Sequence, residues 1–273
     1  MAELRDAIYG LAVGDALGLP VQFEVRDSYK IDGMIGYGTY GMPEGSWSDD
    51  TSLAIATCAS IKRCGAVNVT DIRKCFEDWY YRGKYTPFGR AYDIGGTCSQ
   101  AISTGKGCDD EWSNGNGSLM RIIPLAFVAD ITEKDIANVS AITHAHACAK
   151  YGCVSYIRIA KDLLEGRDLK ACILENISED SSYGRCRYIE TLSREEIKSS
   201  GYVVDTLEAA LWCLLTTTSY KECLIKAVNL GDDTDSIGAV AGGLAGIMYG
   251  IDDIPSEWMD KLQAKNVIEE CLF

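Results

Sequence analysis

The sequence predicts an all-α fold, a compact helical bundle forming one domain over residues 1–273. Three observations predict it. Helical periodicity dominates the chain, alternating strand patterns are short and few, and the loops between periodic segments concentrate Gly and Asp. With 47% hydrophobic residues, 24% charged residues and only 5 Pro in 273, the chain can bury a substantial core. No linker, low-complexity tract or fixed-period repeat divides it.

The first element is a helix over 4–17. Residues 20–48 follow, where the glycines and tyrosines of "GMIGYGTYGMPEG" describe a long loop, and loops of that length in a compact domain are usually functional or mobile. After "SWSDDT", Ala54, Cys58 and Ile61 share one helical face. Further helices are expected near 71–82 and 134–142. Val154, Ile157, Ala160 and Leu164 form a stripe in "VSYIRIAKDLLEG", closed by Gly166, and Leu207, Leu211 and Leu214 repeat it in "DTLEAALWCLL". Helices near 219–230 and 255–265 complete the set. Between them, Ile237–Ile251 runs fifteen residues without a charge. A membrane span needs about 20 apolar residues, so this is a buried helix, with Gly242, Gly243 and Gly246 letting a neighbouring backbone come close.

The formal charge of −14 repels polyanions, which argues against general nucleic-acid or anionic-membrane binding. A phosphate-bearing ligand would need local cations. Twelve cysteines occur without a C-x-x-C pair, which speaks against zinc ribbons and thioredoxin-type chemistry. The N-terminus has no basic region before its apolar stretch, so a cytoplasmic protein with free, buried thiols is expected. A monomer is expected.

Two acidic clusters carry the chemistry. "GDDTDS" places three aspartates, a threonine and a serine at positions 232–236, and "GSWSDDTSLAIA" puts Ser48, Asp49 and Asp50 before another apolar helix. Helix capping is the plain reading, because Ser, Thr and Asp accept from free N–H groups at the positive end of the helix dipole. Capping needs one oxygen or two. The surplus carboxylates repel one another unless a cation sits between them, and such hard oxygens suit Mg²⁺ or Mn²⁺. An EF-hand is excluded: counting from Asp233, the fifth position is Ile237 and the twelfth is Leu244. Two clusters could meet around two ions about 3.5–4 Å apart.

Four other segments are candidates. "FGRAYDIGGTCSQA" places Asp93 before Gly95 and Gly96, either a turn into a helix or a carboxylate beside a closely approachable backbone. "SNGNGSLMRIIPLAF" reads as a loop entering a helix near Ser118 whose free N–H groups suit phosphate, with Arg121 assisting or on the surface. "ITHAHAC" holds both histidines; a zinc site with Cys148 is conceivable, but His144 as a hydrogen-bonding residue is preferred. Tyr202, in "SGYVVDTLEAALW", either stacks on a planar ligand or packs at a helix entrance.

In order, "GLAVGDALGLP", "WSDDTSLA", "DIGGT", "GNGSLMR", "ITHAH", "GYVVDTLEAALW" and "GDDTDSIGAVAGGLAG" resemble the ADP-ribosylglycohydrolase family over residues 8 to about 250. The resemblance implies an all-α fold and hydrolysis of the N-glycosidic bond between ADP-ribose and a protein side chain. It implies Ser48, Asp49 and Asp50 on one side and Asp233, Asp235 and Ser236 on the other as ligands of two Mg²⁺ or Mn²⁺ ions. Asp93 matches the catalytic carboxylate of the arginine-directed members. Gly95, Gly96 and Thr97, with Asn116, Gly117 and Ser118, match loops holding the diphosphate and ribose, while His144 and Tyr202 match ligand-contacting positions. Two departures stand out. Ser236 replaces a frequent Thr and keeps the hydroxyl. Gln22 replaces a glutamate that acts in the serine-directed branch, and Gln cannot be a base, although Glu24 lies two residues on as a substitute. Arginine-linked ADP-ribose is the expected substrate; serine-linked or free conjugates, or a silent binding or crystallin-like role, are the alternatives.

Overall fold

The computed structural model describes residues 2–273 and contains twelve α-helices joined by loops and short 3-10 turns. In chain order the first four are α1 (Leu4–Gly18), α2 (Asp49–Cys64), α3 (Val69–Arg82) and α4 (Gly96–Thr104). The next four are α5 (Glu133–Ser140), α6 (Ala147–Leu164), α7 (Leu169–Asn176) and α8 (Val203–Leu215). The last four are α9 (Tyr220–Val228), α10 (Thr234–Tyr249), α11 (Ser256–Lys261) and α12 (Lys265–Cys271). Among the described residues there is no β-strand, only isolated bridges between Cys108 and His144 and between Gly115 and Tyr202. No helix among them is long and apolar enough to cross a membrane. All twelve cysteines are free thiols; Cys64 is exposed and Cys148 half-buried.

The helix ends follow local chemistry. Asn68, Thr132, Asp168 and Ser219 each accept a hydrogen bond from an N–H of the first turn that follows. Gly65, Gly83 and Gly105 end α2, α3 and α4 in the left-handed region, where a side chain is strained. The predicted 255–265 helix is interrupted, because Ala264 takes φ 49° and separates α11 from α12.

α10, uncharged from Ile237 onward, is the central post, and its partner is α1, running antiparallel. Glycines repeat every fourth residue on both: Gly10, Gly14 and Gly18 meet Gly242, Gly238 and the Thr234–Asp235 peptide. A Cβ on Gly14 would lie 2.0 Å from the Gly238 carbonyl oxygen, so the backbones touch with no side chain between them. This contact fixes the last turn of α1 against the first turn of α10.

Residues 22–48 are irregular, as expected, and hydrogen bonds tie them down. Arg26 donates to the carbonyls of Leu230, Arg194 and Ile197, Tyr29 donates to the Val228 carbonyl at 2.6 Å, and Asn229 pairs with both backbone groups of Ile31. A segment fastened at so many points is positioned by the bundle, although it has no regular structure of its own.

Candidate active site

The two acidic clusters open α2 and α10 and face the same cleft. Ser48 is the N-cap of α2; its Oγ accepts from Asp50 N at 3.3 Å and donates to an Asp50 carboxylate oxygen at 3.1 Å. Asp49 and Asp50 are therefore free of capping duty. At α10, Asp233 occupies the N-cap position without capping; its carboxylate instead accepts from Asn116 Nδ2 at 2.6 Å and from Gln22 Nε2 at 3.4 Å. Thr234 Oγ1 donates to the Gly18 carbonyl at 2.8 Å, and Asp235 Oδ1 accepts from Ser236 N at 2.9 Å. Capping accounts for part of each cluster and leaves carboxylates over.

The cleft has a volume of about 710 Å³ including its open mouth. Asp49, Asp50, Asp233 and Ser236 line it from the two helix starts. Asp93, Gly95, Gly96 and Thr97 line it from the segment entering α4, and Asn116, Gly117 and His144 from the opposite wall. A Cβ at Gly95 or Gly96 would meet no protein atom within 4 Å, so these glycines border open space. At Gly117 a Cβ would come 2.9 Å from the His144 ring, so that loop lies flat against the imidazole. Ser48 and Asp235 stand directly behind this surface, both buried.

Electrostatics set the cluster apart. Burial, and then the neighbouring carboxylates, push Asp49, Asp50 and Asp235 well above the usual carboxylate range. Asp233 is pushed up by burial and eased by donors from Asn116 and Gln22. Asp50 Oδ1, Asp93 Oδ2, Asp235 Oδ2 and Gln22 Oε1 are buried without a hydrogen-bond partner. Among the described residues no three carboxylate, imidazole or thiol side chains close on a single point as a ready chelate. The donors converge on a shared space, and the unmet acceptors in it call for positive charge.

His144 is buried, its Nδ1 lies 2.8 Å from Thr143 Oγ1, and burial followed by the Arg121 charge pushes it down to about 3. It is a neutral hydrogen-bonding ring. Tyr202 is the N-cap residue of α8, 42% exposed beside cleft-lining Gly201, and so stands at the rim.

Three expectations are corrected. No α-helix begins at Ser118: the chain there forms turns and reaches a 3-10 segment at Ile123–Phe127, because Pro124 lacks the N–H and restricts its predecessor. Ser118 is wholly buried, its hydroxyl 3.4 Å from Cys153 Sγ and accepting from Ser140, so its side chain does not line the cleft. Arg121 is not on the surface. It is fully buried over the Phe76 ring, 4.6 Å from the centroid, and donates to the Gly117 carbonyl, which fixes the cleft loop from below. Glu24 is exposed outside the cleft, lining a neighbouring groove with Arg26, Ser199 and Asp232. Phe23, at φ 66°, reverses the chain and turns Glu24 away from Gln22.

Sequence reasoning missed Asp15 and Tyr40. Asp15 is wholly buried in α1 and accepts from the N–H groups of Ser48 and Thr51 and from the Thr51 hydroxyl. The available signal was a lone charge within the otherwise uncharged run from Ala7 to Gly18. Tyr40 donates to Asp93 Oδ1 from the long loop, and nothing local in "GYGTYGMPEG" marks it.

A family model described as ADP-ribosylglycohydrolase matches residues 2–272. The chain is 36% identical over 275 residues to the ADP-ribosyl-[dinitrogen reductase] glycohydrolase of Rhodospirillum rubrum, covering 95% of this chain and 90% of that one. It is 32% identical over 275 residues to the ADP-ribosylarginine hydrolase Tri1 of Serratia proteamaculans (strain 568), covering 95% and 75%. A solved structure described as an ADP-ribosylglycohydrolase-related protein complex superposes with a TM-score of 0.81 at 29% identity, covering 97% of this chain and 94% of its own. Sequence, fold and the acidic cleft agree, and the chain belongs to the ADP-ribosylglycohydrolase family.

Proposed function

We propose that this chain releases ADP-ribose from arginine side chains of modified proteins, assisted by two divalent metal ions. It is a glycohydrolase, as its named relatives are. The observation that carries the finer reading is the meeting, in one cleft, of two carboxylate-rich helix starts with Asp93 and a glycine-lined wall.

The residues fit a metal pair. Ser48, Asp49 and Asp50 would hold it from α2, and Asp233, Asp235 and Ser236 from α10. These are hard oxygen donors, their charges repel, and Asp50 Oδ1 and Asp235 Oδ2 have no other partner. When bound, Mg²⁺ or Mn²⁺ supplies the positive charge that orients ribose hydroxyls and makes a water more acidic. The chain does the rest. Gly95 and Gly96 leave room for the diphosphate, Thr97, Asn116 and Gly117 offer polar groups beside it, and neutral His144 holds the Gly117 loop. Tyr202 at the rim offers a ring face to the adenine. In the hydrolysis, a water oxygen bonds to the anomeric carbon as the carbon–nitrogen bond breaks, and one water proton ends on the departing guanidine. Asp93 is the group placed to pass that proton.

Arginine is favoured over serine because Gln22, at the cleft and bonded to Asp233, has no base to offer, and Glu24 points elsewhere. The test is ADP-ribose release from arginine- and serine-modified proteins side by side, with Mg²⁺, Mn²⁺ or EDTA. Metal-dependent release from arginine alone is expected. Release from serine alone would overturn the substrate assignment, and ADP-ribose binding without release would overturn catalysis.

A further inference from the structure

We propose that Tyr40 is the positioning residue of Asp93: its hydroxyl fixes one carboxylate oxygen so that the other serves the reaction. This deepens the glycohydrolase reading and rests on it. Three observations converge. Tyr40 donates to Asp93 Oδ1, while Asp93 Oδ2 is buried with no partner at the edge of the cleft. Asp93 itself sits at φ 54°, a left-handed conformation that Asp tolerates better than most residues but that leaves its aim to be set by a side-chain contact. Among the described residues the Tyr40 hydroxyl is the one hydrogen-bond donor to the Asp93 carboxylate, in a cleft also lined by Asp49, Asp50 and Asp233.

Tyr40 is equipped to hold. Its segment is pinned by Thr39 N to the Pro20 carbonyl at 3.1 Å and by Thr39 Oγ1 to the Gln22 carbonyl at 2.6 Å. Gly38 packs so closely that a Cβ would fall 1.6 Å from the Pro20 oxygen. The Tyr40 ring lies 6.2 Å from that of Tyr92, tilted 52°, and Tyr92 donates to the Trp47 carbonyl beside Ser48. The long loop, the Asp93 turn and the start of α2 are thereby joined through two phenols. A carboxylate with one oxygen occupied and one free passes its proton along a fixed direction.

Tyr40→Phe removes the hydroxyl and keeps the ring. For arginine-linked ADP-ribose, kcat should fall about tenfold or more, the loss of one hydrogen bond to a charged group, with KM within about twofold. In an Asp93→Asn background the same substitution should cost nothing further. Amide exchange across 90–95 should accelerate in Tyr40→Phe while α1 and α10 keep their protection. A raised KM at constant kcat, an equal loss in both backgrounds, or unchanged exchange across 90–95 would each overturn the assignment. A parent enzyme inactive on arginine-linked ADP-ribose sinks the arginine assignment instead, and the exchange measurement then decides alone whether Tyr40 holds Asp93.

Discussion

The Asp15 carboxylate caps α2 from a different helix: it accepts from Thr51 N at 3.0 Å and from Thr51 Oγ1 at 2.6 Å, and from Ser48 N at 2.9 Å. Burial raises Asp15 to about 7 against the opposing pull of those donors. The last turn of α1 therefore positions Ser48, Asp49 and Asp50 without touching the cleft. Asp15→Ala leaves two buried N–H groups unmet, at roughly 1–3 kcal/mol each. The variant should melt markedly lower and, where it folds, bind Mn²⁺ more weakly. Thermal melts with and without metal check both. An unchanged metal affinity in folded Asp15→Ala would show that the α2 start is held by something else.

Asp235 separates stability from function. It is wholly buried, pushed well above its ordinary range by burial and then by Asp93 and Asp50, and one of its oxygens has no partner. In metal-free protein Asp235→Asn relieves that repulsion, so the EDTA melting temperature should rise by a few degrees, as about 1 kcal/mol would give. The upward shift that Mg²⁺ or Mn²⁺ gives the parent should vanish. A variant that binds metal as tightly as the parent removes Asp235 from the ligand set.

How much of this was legible follows from range. Both acidic helix starts and the uncharged run behind the second were readable because composition and capping chemistry act over a few residues. The partner of α10 was not, since Gly10, Gly14 and Gly18 become meaningful only once α1 lies against Gly238 and Gly242. Ser118 was misjudged because a Gly/Asn loop before an apolar run looks like a helix start, and the burial of Arg121 over Phe76 is a tertiary fact that outranks it. Glu24 looked close to Gln22 in sequence, and a single positive φ at Phe23 sent it to another face.

His144 gives the acid limb of stability. Its neutral form is built in: burial, then the Arg121 charge, lower it to about 3, against an unfolded value near 6.5. Between those values the unfolded chain binds more protons than the native one. Stability from this site is therefore complete above about pH 6.5 and is lost as pH falls, at roughly 1.4 kcal/mol per unit. Urea titrations from pH 7 to 4 should show the slopes of parent and His144→Gln differing by that amount, because the raised carboxylates take up their protons alike in both. Equal slopes would mean that the imidazole takes up its proton in the folded protein.

The glycine seam between α1 and α10 should couple packing to the site in a graded way. A Cβ at Gly14 meets the Gly238 carbonyl oxygen at 2.0 Å, and one at Gly18 meets the Asp235 amide nitrogen at 2.4 Å. Both substitutions force backbones apart, which costs about 1–3 kcal/mol or more. They differ in what moves. Gly14→Ala displaces the second turn of the post, past the carboxylates, so its activity per folded molecule should stay nearer that of the parent while its melting temperature drops. Gly18→Ala displaces the peptide that carries Asp235, so activity and metal affinity should fall further than the loss of stability explains. Measured side by side at a temperature where both variants are folded, equal specific activities would show that the first turn of α10 absorbs the shift without moving its carboxylates.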